Sequence, residues 1–231
     1  MISYHHINPL RSILLLTSIL LGVQCIFGQS ALQEFKKILN VYSQEGTNLQ
    51  YRLSYAHFEG KSKSANDTMS VLLTQNGGNY LMKASTFEWL KEGSKLLWVD
   101  HEKQQMVLQN ANANVGSFTL DQLEQMIQNE GYQLVAHLLN KGTKVLRLSD
   151  PESPEQSIEI IYDPKTYFIF RTVIQSVDDE EGESNTKLVI SYQDYQIKKG
   201  AFPWSMKNYF SESSKQRQIN KRYRNYSLQV L

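Results

Sequence analysis

Five histidines and one cysteine are the residues of this 231-residue chain best suited to metal, acid–base or nucleophilic chemistry. Their spacing assembles none of it. His57, His101 and His137 each lack a second histidine or a carboxylate at helical metal-binding spacing, and no His-Glu-x-x-His occurs. His101 and Glu102 sit in an expected tight turn, where polar residues belong in any case. There is no Gly-x-Ser-x-Gly elbow, no phosphate-cradling glycine loop and no Cys/His pair. The acidic run Asp178–Glu183 falls between two strong strand signals, so it reads as a solvated hairpin loop rather than a calcium site. The expectation is a non-catalytic protein with no metal and no cofactor.

What the sequence carries in excess is apolar surface. Thirteen tyrosines, nine phenylalanines and three tryptophans suit sheets and apolar pockets. In Tyr167–Val177 both alternating faces bear large side chains: Phe168, Phe170 and Ile174 on one, Tyr167, Ile169 and Val173 on the other. A half-wet antiparallel sheet needs only one such face. The second either packs under a helix or lines an apolar cavity, the default kind of ligand site.

The elements that would position these residues are mostly strands. Leu49–Tyr55 alternates strictly, and Met69–Leu73, Tyr80–Ala84, Phe87–Trp89, Lys95–Val99, Gln104–Gln109, Thr143–Ser149, Ser157–Asp163, Tyr167–Val177 and Thr186–Ile197 follow. Short turns rich in Gly, Asn and Asp join them, so neighbours are expected to be antiparallel hairpins. Leu32, Phe35, Ile38, Leu39 and Tyr42 share one face of a helix over residues 31–45, ended by Gly46. Thr119 and Gln122 form a capping box for a second helix, with Leu120, Leu123, Met126 and Ile127 as its stripe and Gly131 as its stop. Tyr132–Leu139 reads equally as a continuation of that helix or as a buried strand. The fold class expected is α+β: an antiparallel, sheet-dominated domain of about ten or eleven strands with two helices.

The chain begins with a basic lead ending at Arg11, an uncharged apolar run from Ser12 to Phe27, and small residues at Gly28 and Ser30. That order is a secretory signal peptide over residues 1–30, leaving a mature domain of 31–231 and an N-terminus near Gln29 or Ala31. Cys25, the lone cysteine, would leave with it. A lipidated Cys25 fits poorly, because Gln24 precedes it and Gly22 stands where Leu is usual. With a formal net charge of +1 the chain lacks the basic field of a nucleic-acid binder. Its basic residues gather at the end instead, with Lys221, Arg222 and Arg224 beside Tyr223 and Tyr226. They read as the charged rim of a last edge strand or as a docking patch for an anionic membrane or acidic partner.

Lys95-LLWVDHEKQQMVL-Gln109 resembles the hairpin Gly-Lys-x-Leu-Trp-x-Tyr-Asp-x-x-x-x-Gln-Val of the periplasmic outer-membrane lipoprotein carriers, the LolA/LolB-like family. Tyr80–Trp89 is similar to that family's Arg-Pro-x-x-Phe-x-Trp strand, although Lys83-Ala84 replaces the Arg-Pro pair. Ile160–Ser176 followed by Lys187-LVISY is similar to a later hairpin, so the likeness covers most of the mature chain. The resemblance implies an incomplete antiparallel barrel whose helices cover an apolar, acyl-chain cavity on the concave face. It implies Leu49, Tyr51, Leu53, Phe87, Trp89, Trp98, Phe168 and Phe170 as lining candidates, and Arg52 as the counterpart of a lid-holding arginine. It also implies a monomeric periplasmic carrier of lipoprotein acyl chains or other lipid, with a membrane donor or acceptor protein as partner. An envelope interaction domain on the same fold, without lipid cargo, is the second reading, and a secreted hydrolase a distant third.

Overall fold

The computed structural model describes residues 30–60, 62–111, 120–139, 142–178, 184–212 and 217–231. The signal segment, the Thr119 end of the capping box and most of the acidic run at 178–183 lie outside them. Among the described residues no helix is long and apolar enough to cross a membrane.

Helix α1 spans residues 30–42. It is followed by β1 (Thr47–Glu59), β2 (Asp67–Asn76), β3 (Asn79–Lys83), β4 (Phe87–Glu92), β5 (Lys95–Asp100) and β6 (Gln105–Asn110). Helix α2 (Leu120–Asn129) comes next, then β7 (Gln133–Leu138), β8 (Lys144–Ser149), β9 (Ser157–Tyr162), β10 (Ile169–Asp178) and β11 (Ser184–Lys199). The tail forms β12 (Phe210–Glu212), β13 (Arg217–Ile219) and β14 (Ser227–Val230). Twelve strands make one open sheet in the order β14-β6-β5-β4-β3-β2-β1-β11-β10-β9-β8-β7, and β12 pairs with β13. The sheet does not close into a barrel: β7 and β14 are its two ends.

The meander follows from the turns. Gly77 takes a φ of +57° between β2 and β3, a conformation strained for any residue with a side chain, and hairpins succeed one another through β6. Tyr132–Leu139 resolves as strand, because β7 pairs with β8 from Gln133↔Ser149 to Leu138↔Lys144. One expectation fails at the far edge, where β14 runs parallel to β6. That pairing is open to β14 because a connection of more than a hundred residues separates the two strands, free of a hairpin's reversal.

The two faces of the sheet are covered differently. Leu81, Leu90, Leu97, Val99, Met106 and Leu108 on β3–β6 pack against Met206, Tyr209, Phe210 and Tyr223 from the C-terminal segment. That segment is pinned by Glu88, a buried carboxylate on β4 that accepts from the Tyr209 hydroxyl and pairs with Lys83 Nζ at 3.2 Å and His101 Nε2 at 3.3 Å. Tyr226 in turn contacts His101 Nδ1 at 2.9 Å. On the opposite face, at the β7–β10 end, Ala31, Phe35 and Ile38 of α1 and Leu123 of α2 pack with Leu134, Leu146, Leu148, Tyr162 and Ile169.

Candidate apolar ligand site

Under the two helices the packing is incomplete. A cavity of about 380 Å³ lies between α1, α2 and β7–β11. Helix α1 contributes Phe35, Ile38, Leu39 and Tyr42, the i, i+3, i+4, i+7 stripe of an amphipathic helix, and α2 contributes Leu123. The sheet supplies Leu134, Leu146 and Leu148, then Ile158, Ile160, Ile169 and Ile174, with Thr172 and Tyr192 at one side. Among the described residues no ionisable carboxylate, amine or imidazole is in this wall. Apolar surface left against a void rather than against packed atoms is what a hydrocarbon ligand would fill.

Polar contacts hold α1 over the cavity at both of its ends, and Lys36 Nζ also pairs with Glu124 of α2 at 3.3 Å. At its first half Glu34, buried beneath the helix, accepts from the Tyr162 hydroxyl at 2.8 Å and pairs with Lys144 Nζ and Lys37 Nζ, each at 3.3 Å. Burial alone would raise the Glu34 pKa, but the Tyr162 hydroxyl and the Lys144 and Lys37 ammonium groups outweigh it and hold the carboxyl below its ordinary value. At the other end the Ile169 N–H donates to the Tyr42 oxygen (2.9 Å) and the Tyr195 hydroxyl donates to the Ile169 carbonyl (2.7 Å). Tyr195 has then spent its proton, so across the 2.5 Å contact between the two hydroxyls Tyr42 is the donor. Burial raises the pKa of both tyrosines, which keeps them neutral donors.

This ring of hydrogen bonds explains the local shape of β10. The β9–β10 register shifts between Ile169 and Arg171, a bulge that leaves Ile169 unpaired toward β11 until the two tyrosines satisfy it. The extra residue is Phe170, which is 44% exposed. Beyond it the alternation is inverted, so Ile169, Thr172 and Ile174 share the cavity face, whereas strict alternation from Tyr167 put Ile169 and Ile174 on opposite faces.

The eight residues nominated from the sequence lie outside the cavity wall. Leu49, Tyr51 and Leu53 are buried in a neighbouring cluster on β1 and β2, which Phe168 joins by stacking on Tyr195 at 4.4 Å between ring centres. Tyr51 abuts the site from behind, 5.7 Å from the Tyr42 ring and 5.9 Å from that of Tyr192. Phe87, Trp89 and Trp98 share the helix-bearing face of the sheet but stand on β4 and β5, where Phe87 packs against the β1–β2 cluster that Val41 and Tyr42 of α1 also join. Trp89 and Trp98 are 38% and 43% exposed. Arg52 Nε pairs with Asp194 Oδ2 at 3.1 Å in the open, on the face opposite Tyr51 and Leu53.

The residues that do line the site were visible as pattern without being recognised as site. Leu146 and Leu148, then Ile158 and Ile160, alternate on two successive strands, and α1 shows its stripe. The wall is aliphatic, so a search led by aromatic side chains passes it by.

A second cleft, of about 550 Å³, runs between the β4–β5 turn and the 3-10 turn Met206–Asn208. Its carboxylate, Glu92, already accepts from the Ser205 hydroxyl and the Met206 N–H, so the cleft is a joint of the C-terminal segment. Among the described residues no group of three or more His, Cys, Asp or Glu is placed to hold a metal ion. Lys221, Arg222 and Arg224 are all exposed, and they lie on and just after the 3-10 turn Lys221–Tyr223 rather than on the edge strand, which starts only at Ser227. Arg222 lies over the ring of Tyr223, 5.4 Å from its centre.

No family model matches the chain, and no curated protein matches it. Solved structures similar to it include an uncharacterized conserved protein from Thermus thermophilus, at 11% identity and a TM-score of 0.46, covering 87% of this chain and 98% of that one. Another is a LolA superfamily protein from Nitrosomonas europaea, at 13% identity and a TM-score of 0.34, covering 77% and 95%. The complex of Pseudomonas aeruginosa MucA and MucB matches at 12% identity and a TM-score of 0.36, covering 83% of this chain and 63% of that one. These are likenesses of fold.

Proposed function

We propose that this chain is a non-catalytic carrier that binds acyl chains of lipoproteins or other lipids in the cavity under α1 and α2. The observation that carries the reading is the wall itself: fourteen side chains whose only polar atoms are the hydroxyls of Tyr42, Thr172 and Tyr192. Each buried methylene contributes about 0.8 kcal/mol, so a chain of modest length binds without any charged contact. The leader at residues 1–30 supports export, and the sequence resemblance to periplasmic lipoprotein carriers supports the periplasm as destination and the outer membrane as the direction of transfer. A roof held by a few discrete polar contacts supports loading and release, because a covering element can open without unfolding the sheet.

Lipid extraction from protein purified out of its own compartment, followed by mass spectrometry, tests this. Acyl chains are expected with the wild type and absent from Ile160→Glu, which sets a carboxylate against hydrocarbon. A wild type that carries no lipid and takes up none from vesicles would end the carrier reading.

The second reading, an envelope interaction domain, is favoured by one observation. Phe87, Trp89 and Trp98 form an aromatic shelf whose two tryptophans are exposed. Co-purification of one stoichiometric protein partner, lost in Trp89→Glu, would favour it.

A further inference from the structure

We infer that the cavity takes a single unbranched chain of roughly a dozen carbons with its polar head outside, so that the protein measures chain length. The inference rests on the carrier reading and adds capacity and head-group indifference to it.

Capacity follows from volume. A water molecule occupies about 30 Å³ in the liquid, and a methylene is of similar bulk. The 380 Å³ of the cavity therefore holds roughly a dozen methylene-sized groups, the bulk of one chain of that length. Stretching the space sideways meets the pinned ends of α1, at Glu34 and at Tyr42. Tyr51 packs behind Tyr42 and Tyr192 and closes the wall on the β1 side.

Head-group indifference follows from the bonding of the wall's three hydroxyls. Tyr42 is committed to Tyr195 and to the Ile169 N–H. The Thr172 hydroxyl donates to that of Tyr192 at 3.3 Å, which leaves the Tyr192 proton as a neutral donor with no charge to offer an anionic head. Among the described residues no cation in the wall would compensate a carboxylate or phosphate taken out of water, so a charged head stays at the mouth.

The test is displacement of a fluorescent fatty-acid probe by saturated fatty acids from hexanoate to stearate, each below its micelle concentration, using the mature protein. Affinity is expected to rise roughly fourfold per added methylene until about laurate and then to stay level. Ile160→Phe fills part of the cavity and moves the break to shorter acids, whereas Leu146→Ala enlarges it and moves the break to longer ones. The two variants shift it in opposite directions, so misfolding of one cannot imitate the pair. Dodecanol and laurate should bind within a factor of a few of each other. Native mass spectrometry should count one palmitate per protein. A rise that continues unbroken to stearate, two chains per protein, or strong preference for the acid would overturn the inference while leaving a lipid carrier intact. No binding of any chain would remove the carrier reading, and the inference with it.

Discussion

The two ends of this sheet solve the same covering problem with the same anchor and opposite packing. At the β3–β6 end the C-terminal segment is fastened by Tyr209 to the buried Glu88, and what lies beneath is a filled core around Leu97 and Met106. At the β7–β11 end α1 is fastened by Glu34 to the buried Tyr162, and what lies beneath is a cavity. Carboxylate and tyrosine have merely changed sides. Protein interiors are ordinarily close-packed, so a void next to a well-packed counterpart in one sheet points to a site rather than to a poor core. The supporting groups differ in part: Lys83 and His101 around Glu88 are mostly enclosed, as is Lys144 on Glu34, whereas Lys37 on Glu34 is half exposed. One clasp is built to stay shut and the other is within reach of water.

The largest expected effect breaks the firm end. Glu88→Ala leaves Lys83, His101 and Tyr209 facing an uncompensated site and should cost about 3–5 kcal/mol in denaturant unfolding. Glu34→Ala should cost less, about 1.5–3 kcal/mol, because its lysines can turn to solvent. Equal losses would dissolve the contrast between the two clasps.

A pH titration sharpens it. Glu34 has a folded pKa below its ordinary 4.5, so its contribution is fully present above 4.5 and is lost as pH falls through the lower folded value. Amide protection in residues 30–42, corrected for the intrinsic slowing of exchange in acid, should therefore fall on acidification below about pH 4.5. Glu34→Gln should abolish that extra acid sensitivity. Unchanged acid behaviour in the variant would mean that the helix is held elsewhere.

Next in size is a loss that should not occur. Trp89→Glu removes an exposed ring outside the cavity, so chain affinity should stay within about twofold of wild type and stability within about 0.5 kcal/mol. Had the tryptophan lined the acyl site, as the carrier resemblance implies, this change would abolish binding. Fluorescent-probe binding beside thermal melting decides it, and loss of binding would move the site to the open half of the sheet.

The sheet was legible because its signals are local. Alternation and the Gly77–Gly78 turn are written within a few residues of where they act, and most strands follow them. The site was not, because its decisive feature is long-range. Inverting β10 at Ile169 requires Tyr42, 127 residues away, and Tyr195, 26 residues away, to satisfy the displaced backbone. Nothing inside Tyr167–Val177 announces that Phe170 is the extra residue. The run Tyr132–Leu139 is ambiguous for a related reason: β7 owes its state to pairing with β8, not to its own periodicity.

The smallest expected effect concerns the outer surface of the firm end. Lys221 and Arg222 are on a 3-10 turn whose third residue, Tyr223, is buried in the core and stacks on Tyr209 at 5.1 Å. The turn is thus held rigidly while its two cations and Arg224 point outward, a fixed basic triplet on an otherwise balanced chain. Reversing all three to Glu should shift stability little, by about 0.5 kcal/mol or less per site, since exposed charges are well solvated. If the triplet meets an anionic membrane, the reversal should weaken binding to vesicles rich in anionic lipid and flatten its dependence on salt, with acyl-chain affinity unaltered. Vesicle sedimentation across a salt series, run beside the probe assay, separates the two. Loss of both together would tie the basic turn to the hollow end of the sheet. No change in either assay would leave the triplet a solvated surface and confine function to the other half of the molecule.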